Sequence, residues 1–166
     1  MSADFAIILR LLIDNHVNFV VIGGFAAISQ GSAYITRDID ICYERSDLNL
    51  ERLASVLKEL DAYPRNAPSG LPFKLDAKTL KMGLNFTFDT KYGPLDALGE
   101  VSGVGGYQEA IADANSGVVA GISTKILSLD KLIASKRAAG RPKDLTALVE
   151  LELIKRAREK LTDGSQ

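Results

Sequence analysis

Two aspartates, Asp38 and Asp40, have a spacing that suggests chemistry in this 166-residue sequence. They lie in segment 38–43, where polar and apolar residues alternate as in a β-strand. A strand puts residues two apart on one face, so both carboxylates would point the same way while Ile39 and Ile41 face the core. Neighbouring carboxylates repel each other unless a cation lies between them. Two interpretations fit this segment: a metal site, or an exposed strand with two solvated acids.

Two consecutive glycines, Gly23 and Gly24, follow the β-branched run 17–22. A strand, two glycines and a short helix leave backbone N–H groups free to bind a phosphate. Without side chains, the glycines let that phosphate approach closely. A plain tight turn explains the glycine pair alone equally well. However, the chain returns with Asp38 only fourteen residues after Gly24, which can bring the acidic pair beside the turn. The combination predicts a nucleotide site.

The elements that position these residues alternate between helix and strand patterns, which predicts an α/β (α+β) fold with a mixed sheet flanked by helices. We expect one domain over 1–166, with a core over about 1–127 and a basic helical segment over about 128–161. Helices are predicted at 4–13, 25–30, 46–60, 128–139 and 142–161, and strands at 17–22, 38–43, 84–90, 94–98 and 118–127. Segments 62–72 and 102–106 are predicted to be loops.

Local signals mark the ends of several of these elements. Ser2 is a candidate cap for the first helix, and Ser46 or Asp47 for the third. Ser128 is predicted to cap the next helix, which Gly140 would end. Pro142 at a first helical position would open the last helix. Residues 91–93 would join the strands 84–90 and 94–98 as a hairpin.

Composition excludes several classes of protein. The 20 Lys and Arg balance 21 Asp and Glu, which argues against a purely electrostatic nucleic-acid binder. A single cysteine, Cys42, and a single histidine, His16, cannot form a disulfide framework or a Cys/His metal cluster. No signal-peptide pattern begins the sequence, and the longest apolar run, 19–28, is too short to span a membrane. We therefore expect a cytoplasmic protein without membrane contact.

The near-neutral total conceals a division of charge along the chain. Residues 125–160 carry ten Lys and Arg against five Asp and Glu, and the remainder carries ten against sixteen. Such asymmetry fits a protein that collects cations at one wall and phosphates at another. A solvated basic helix is the alternative.

The sequence resembles the polymerase-β-type nucleotidyltransferase superfamily. The resemblance rests on Val-Val-Ile-Gly-Gly-Phe-Ala-Ala at 20–27 and Thr-Arg-Asp-Ile-Asp-Ile at 36–41. It is closest to the small bacterial nucleotidyltransferases that include abortive-infection toxins of toxin–antitoxin systems. It implies that Gly23, Gly24, Thr36 and Arg37 bind nucleotide, and that Asp38 and Asp40 hold metal.

Later segments extend the resemblance over most of the chain. The segment 93–98, Gly-Pro-Leu-Asp-Ala-Leu, supplies Asp96 where the family has its third carboxylate. The helix 132–138 with the run 140–144 resembles a later motif, a helix lysine followed by Lys-Asp. That motif implies a catalytic and nucleotide-binding Lys136, followed by Lys143 and Asp144.

The sequence departs from the superfamily pattern at two positions. Gly24 stands where many members have serine, so a hydroxyl contact to phosphate is missing. Ala147 stands where some members have a further aspartate. Neither change removes a metal ligand, although the second weakens the comparison with the toxin group.

The resemblance implies transfer of an NMP group from an NTP to an acceptor hydroxyl, with release of pyrophosphate. Two Mg²⁺ ions, or Mn²⁺, held by Asp38, Asp40 and Asp96 would serve this reaction. Arg37 and Lys136 are the candidate partners of the triphosphate. Lys136 is expected to face inward, because it lies at the edge of the apolar stripe of its helix.

Arg141 and Lys143 are candidates to bind pyrophosphate or the backbone of a nucleic-acid acceptor. Asp144 would orient these cations by a salt bridge or cap the last helix. Acceptors compatible with the sequence are tRNA or another RNA, a protein, or a small hydroxylated molecule. The resemblance also raises an antitoxin-like partner, and the lack of a large substrate domain raises an oligomer. The alternative function is a non-catalytic nucleotide- or partner-binding module on the same fold.

Overall fold

The structure, a computed structural model, describes residues 3–164. Its helices are α1 (Phe5–Asp14), α2 (Gly23–Ser29), α3 (Asp47–Glu59), α4 (Ala77–Met82), α5 (Tyr107–Ala112), α6 (Leu129–Ala139) and α7 (Pro142–Gly164). Its strands are β1 (Phe19–Ile22), β2 (Ile39–Tyr43), β3 (Tyr63–Pro64), β4 (Asn85–Thr90), β5 (Gly93–Leu98), β6 (Asn115–Val119) and β7 (Ile122–Ile126).

The strands form one mixed sheet in the order β3-β4-β5-β2-β1-β7-β6. The central strand β2 is antiparallel to β1 and parallel to β5, and β1 is parallel to β7. Hairpins join β4 to β5 and β6 to β7. The predicted fold class, a mixed sheet flanked by helices with a helical C-terminal segment, is confirmed.

The hydrophobic core fixes the central strands. All four residues of β1 are buried, and Ile39 and Ile41 of β2 are fully buried, as the alternation of segment 38–43 predicts. Burying a side chain of this size stabilises the fold by about 1.5–3 kcal/mol. The start of β2 is therefore held firmly from both sides of the sheet, and Asp38 directly precedes it.

Several predicted element ends are confirmed. Ser46 and Ser128 accept hydrogen bonds from the backbone N–H groups of Asn49 and Lys131 at the starts of α3 and α6. Gly140 ends α6 in the left-handed conformation, with φ of 63°. Asp4 caps α1, whereas the predicted cap Ser2 lies outside the described residues.

Five elements differ from the sequence prediction. Segment 118–127 is a hairpin, because the chain reverses at Ala120 and Gly121, which have φ of 49° and 80°. The predicted loop 62–72 contains the two-residue strand β3, which pairs with β4. Helices α4 and α5 were not predicted, since six residues are too few to show a clear helical period. Helix α2 begins at Gly23 rather than at residue 25.

The last helix, α7, is attached to the loop between α2 and β2. The Glu150 carboxylate accepts hydrogen bonds from the Ser32 hydroxyl and from the backbone N–H of Ala33. Arg158 donates to the carbonyl of Gln30 over 2.7 Å. These contacts hold α7 beside the loop that leads to Asp38. No helix within residues 3–164 has both the length and the apolar character to cross a membrane.

Candidate active site

Strand register brings three carboxylates together. Asp40 pairs with Ile22 at the end of β1 and with Asp96 on β5. Asp38, the residue directly before β2, lies beside them. Carboxylate oxygens of Asp38, Asp40 and Asp96 lie within 4.8 Å of one another. Three acidic groups at this separation form an oxygen-rich site of the kind that hard divalent cations favour.

The pKa of Asp40 differs markedly from that of an ordinary aspartate. Burial raises the pKa of Asp40 to about 7, and the negative charges of Asp96 and Asp38 act in the same direction. The positive charge of Lys136 opposes this shift in the pKa of Asp40 without cancelling it. A cation among the three oxygens would favour the ionised form of Asp40, so the arrangement is electrostatically suited to a metal ion.

The glycine pair lies directly against this cluster. Gly23 has φ of 66°, and a Cβ built on it would lie 2.1 Å from Oδ2 of Asp40. A Cβ on Gly24 would lie 2.7 Å from Cβ of Thr36 and 2.8 Å from its Oγ1. Glycine at both positions therefore lets the turn contact Asp40 on one side and the loop before β2 on the other.

A basic wall faces the carboxylates from α6 and the start of α7. Nζ of Lys136 lies 3.4 Å from Oδ1 of Asp144, and Nε of Arg141 lies 2.6 Å from its Oδ2. Only 1% of the Asp144 side chain is exposed. The hydrogen bond from Arg141 holds the pKa of Asp144 below its usual value, with help from Lys136. Asp144 thus pairs with Arg141, as the sequence predicts, and with Lys136 in place of the predicted Lys143.

Arg37 and Lys143 differ from the other predicted cations in having no protein partner. Neither side chain forms an ion pair or hydrogen bond with any residue in the described range 3–164. Both line the same cleft as the carboxylates. Their charges are therefore free to meet an anionic ligand there.

All these groups line one open cleft of about 630 Å³. The structure brings every predicted site residue to its walls: Gly23, Gly24, Thr36, Arg37, Asp38, Asp40, Asp96, Lys136, Arg141, Lys143 and Asp144. A volume of this size accommodates a small-molecule ligand. Negative charge is concentrated on and beside β2 and β5, and three of the four cations lie on or between α6 and α7, so the cleft can take cations and phosphates at once.

Two groups of residues near the cleft were not predicted. Arg65 lies in the segment predicted to be a loop, yet its Nη2 is 2.8 Å from Oδ1 of Asp96. Asn85, Glu100 and Ser102 extend the cleft beyond Asp96. No motif marks these positions, because tertiary pairing of β3, β4 and β5 brings them to the site. The local sequence contains no signal that could have found them.

Cys42, buried on β2, takes no part in the cleft. Burial raises the pKa of its thiol to about 11, and Glu109 acts in the same direction. A thiol with so high a pKa carries little thiolate, which is the nucleophilic form. Cys42 packs as a small hydrophobic residue of the core.

Comparison with known proteins identifies the family. Residues 1–163 match the family described as nucleotidyl transferase of unknown function (DUF2204). The chain belongs to this family. It is a nucleotidyltransferase, and the resemblance seen in the glycine and aspartate motifs is confirmed at that level. No curated protein sequence matches the chain.

Solved structures share the fold of this nucleotidyltransferase. One is ANT(2″)-Ia in complex with adenylyl-2″-tobramycin, at 15% identity and a TM-score of 0.59, covering 95% of this chain and 96% of that one. Another is the lincosamide antibiotic adenylyltransferase LnuA with lincomycin bound, at 14% identity and a TM-score of 0.58, covering 91% and 96%. At such identities the likeness establishes the fold.

Proposed function

We propose that this nucleotidyltransferase moves an NMP group from an NTP to a hydroxyl of a small acceptor. The observation that carries the proposal is the cleft itself. Three carboxylates within 4.8 Å of one another lie on its sheet side, and the unpaired Arg37 and Lys143 line it together with Lys136. This division of charge suits a triphosphate bound with divalent cations.

The carboxylates have the chemistry that a divalent cation needs. Carboxylate oxygens of the three aspartates lie within 4.8 Å of one another, and the pKa of Asp40 is raised because this group is buried and its negative neighbours are close. Asp38, Asp40 and Asp96 would hold Mg²⁺, with Mn²⁺ as the alternative. When bound, such ions stabilise the attacking and leaving oxygens of an in-line phosphoryl displacement.

The glycine pair and the cations would bind the NTP. Gly23 and Gly24 present backbone without side chains, so a phosphate can lie against the turn. The Thr36 hydroxyl, beside Gly24, lies close to where a serine side chain at position 24 would begin. That hydroxyl donates its hydrogen to the carbonyl of Asp38 over 3.0 Å, so Thr36 would hold the loop before β2 in place beside the bound phosphate. Arg37, Lys136, Arg141 and Lys143 would neutralise the triphosphate.

The proposed reaction forms one bond and breaks one. The acceptor oxygen bonds to the α-phosphorus, and the bond between that phosphorus and the α–β bridging oxygen breaks. Pyrophosphate leaves with the electron pair of the broken bond, and Asp96 receives the proton of the acceptor hydroxyl. Lys136 would stabilise the negative charge that develops on the phosphates.

The far end of the cleft favours a small, positively charged, hydroxylated acceptor. Beyond Asp96 it is lined by Asn85, Glu100 and Ser102, a polar and acidic surface that would repel a polyanion. Oδ1 of Asn85 accepts hydrogen bonds from the backbone N–H groups of Gly99 and Glu100, which fixes this surface. Aminoglycoside and lincosamide adenylyltransferases share the fold, so these compound classes are the first acceptors to try.

Ion pairing within the basic segment argues against a nucleic-acid acceptor. Lys131, Arg137 and Lys155 pair with Asp113, Glu152 and Asp130 over 2.6–2.9 Å. Cations already paired within the chain release fewer counterions on binding a phosphate backbone. Fewer positive charges in residues 125–160 are therefore available to bind phosphate than the composition indicates.

The test is transfer of label from α-³²P-labelled NTPs in the presence of Mg²⁺ or Mn²⁺. Separate reactions would offer aminoglycosides, lincosamides, total RNA and total cell protein. We expect labelled small-molecule product and pyrophosphate, with loss of both in Asp38→Ala and Asp40→Ala. Glu59→Ala, on an exposed position of α3, is the matched control and should retain transfer.

The products decide between the acceptors. Transfer that survives both aspartate substitutions would overturn the proposed metal site. Label on RNA or protein instead would overturn the small-molecule acceptor and support a toxin role, for which co-expression with a neighbouring antitoxin-like protein is the follow-up. Nucleotide binding without turnover on any acceptor would count against the proposed reaction.

A further inference from the structure

Arg65 makes every ion pair that Asp38 and Asp96 have within the described part of the chain. Its Nη2 lies 2.8 Å from Oδ1 of Asp96, and its Nη1 lies 3.9 Å from Oδ2 of Asp38. About a fifth of the Arg65 side chain is exposed, at 22%. A guanidinium in this position contacts the first and third carboxylates of the cluster at once.

The Arg65 side chain is itself held by β4. Its backbone N–H donates to the carbonyl of Thr87 over 2.9 Å. Its Nη2 donates to the carbonyl of Phe88 over 2.9 Å, and its Nε to Oδ1 of Asp89 over 3.2 Å. The backbone contact anchors the residue, and the two guanidinium contacts with Phe88 and Asp89 fix the planar fork before any ligand binds.

Among the described residues, Arg65 is the only ion-pair partner of Oδ1 of Asp96. Oδ1 is buried from solvent and accepts no hydrogen bond from the described residues, so the nearby charge of Arg65 is what offsets its burial. A buried carboxylate oxygen without a compensating charge is costly. Without Arg65, this buried oxygen would lose the positive charge that faces it.

We propose that Arg65 is a positioning residue that orients Asp96 for metal binding and neutralises part of the cluster's charge. This inference rests on the proposed function. Arg65 is not among the residues that line the cleft, so it approaches Asp96 from the side away from the ligand. By occupying Oδ1, it leaves the second oxygen of Asp96 for the cleft.

The size of the effect follows from this role. Substituting a residue that hydrogen-bonds to a metal ligand, or forms an ion pair with it, commonly lowers metal affinity by about 10- to 100-fold. Arg65→Gln should therefore weaken divalent binding by about tenfold or more. Arg65→Lys keeps the positive charge and loses the planar fork. Its affinity for the divalent ion should therefore lie between those of the unsubstituted chain and Arg65→Gln.

The experiment is calorimetric titration of the metal-free protein with Mn²⁺, without nucleotide. The proteins are the unsubstituted chain, Arg65→Gln, Arg65→Lys and Arg45→Gln. Arg45 is the matched control, a partly buried arginine that donates to the Tyr43 hydroxyl and to the carbonyl of Lys81. Its loss should lower the thermal midpoint and leave Mn²⁺ affinity unchanged.

The outcomes separate this inference from the proposed function. An unsubstituted chain that binds no Mn²⁺ would contradict the metal site itself. Binding that is equal in the unsubstituted chain and Arg65→Gln would overturn the role of Arg65, and tighter binding in Arg65→Gln would show that the guanidinium competes with the metal.

A measurement without metal covers the case in which Arg65→Gln folds poorly. Arg65→Lys should then lower the thermal midpoint in the unsubstituted background and have little effect in an Asp96→Asn background, because the oxygen it supports no longer carries charge. Equal loss in both backgrounds would contradict the coupling between Arg65 and Asp96.

Discussion

At the scale of single residues, Asp40 connects the parts of the cleft. Its backbone pairs with the end of β1 and with Asp96 on β5, and its carboxylate lies against Gly23. Its pKa of about 7 reflects burial beside like charges. The folded protein therefore keeps a proton on Asp40 that the unfolded chain releases, and this difference is measurable.

The first prediction concerns the pH dependence of stability without divalent ions. Between about pH 4 and 7 the folded state binds the extra proton on Asp40, so the free energy of unfolding falls as pH rises through this window. Asp40→Asn should abolish this decrease in the free energy of unfolding, which is on the order of 2–4 kcal/mol. The variant's advantage in thermal midpoint should grow from pH 4 to 7 and level off above, measured by calorimetry in chelator.

Asp163→Asn is the control for this pH profile, since Asp163 is exposed near the end of α7. Its midpoint should follow the unsubstituted chain at every pH. An Asp40→Asn profile parallel to the unsubstituted one would show that Asp40 ionises in the folded state as it does in the unfolded chain.

The second prediction concerns Gly23→Ala. The added Cβ would lie 2.1 Å from Oδ2 of Asp40 at φ of 66°, so the carboxylate must move. A displacement of about 1 Å at a reacting group can lower the rate about 100-fold, and we expect at least this loss of nucleotidyl transfer. Gly121→Ala is the control, with φ of 80° and no atom within 4 Å of its Cβ. Both variants should lose about 1–2 kcal/mol of stability from the left-handed backbone, and only Gly23→Ala should lose activity.

At the scale of elements, the junction of α6 and α7 builds the basic wall. Gly140 reverses the chain between the two helices, and Asp144 in the first turn of α7 accepts hydrogen bonds from Arg141 and from Lys136 across the junction. A negative side chain at this position also complements the positive end of the helix dipole. One buried carboxylate therefore positions two of the cations that face the carboxylate cluster.

The third prediction compares two aspartates that connect the same two helices. Asp144→Asn should lower stability by about 1–3 kcal/mol, because it weakens the buried charge-assisted hydrogen bonds to Lys136 and Arg141. It should also weaken NTP binding.

Asp130→Asn is the control. It breaks the pair with Lys155, in which Asp130 is 70% exposed, and should lower stability by less than about 1 kcal/mol. Urea unfolding and fluorescent-nucleotide titration would measure both effects, and equal costs would contradict the role of Asp144.

At the scale of the whole molecule, the cleft joins two groups of elements with opposite charge. The acidic cluster lies on β5, on β2 and directly before β2, and all the cleft cations but Arg37 lie on α6, on α7 or between them. Each wall alone contains like charges that repel, so a ligand that contacts both walls should strengthen their association. Stability of the chain is therefore expected to depend on metal and nucleotide together.

The fourth prediction is stabilisation by ligand. Mg²⁺ with a non-hydrolysable NTP at about 100 times its dissociation constant should stabilise the folded state by about 2.7 kcal/mol, which raises the thermal midpoint by about 5–10 °C for a chain of this length. Chelator should reverse this rise in the thermal midpoint, and the rise should be absent in Asp38→Ala. Hydrogen exchange should slow both in β2 and around residues 135–147. Protection confined to one wall would show that the ligand does not bridge the cleft.

The sequence by itself determined the local parts of the site. Alternation in segment 38–43 places Asp38 and Asp40 on one face because strand periodicity is a local property. The glycine pair marks the turn after β1 because only glycine leaves the space that the turn requires there. Ser128, Gly140 and Pro142 mark the ends of α6 and the start of α7 because caps act within one helical turn. The family motifs add the positions of Asp96 and Lys136.

Tertiary structure decided what lies between these parts. Arg65 reaches Asp96 only because β3 joins the edge of the sheet beside β4, and a two-residue strand containing proline has no recognisable local pattern. The pairing of basic residues in α6 and α7 with Asp113, Glu152 and Asp130 cannot be read from net charge, since it depends on how the helices pack. The sequence thus determines which groups can line the cleft, and long-range packing determines which of their charges are already neutralised.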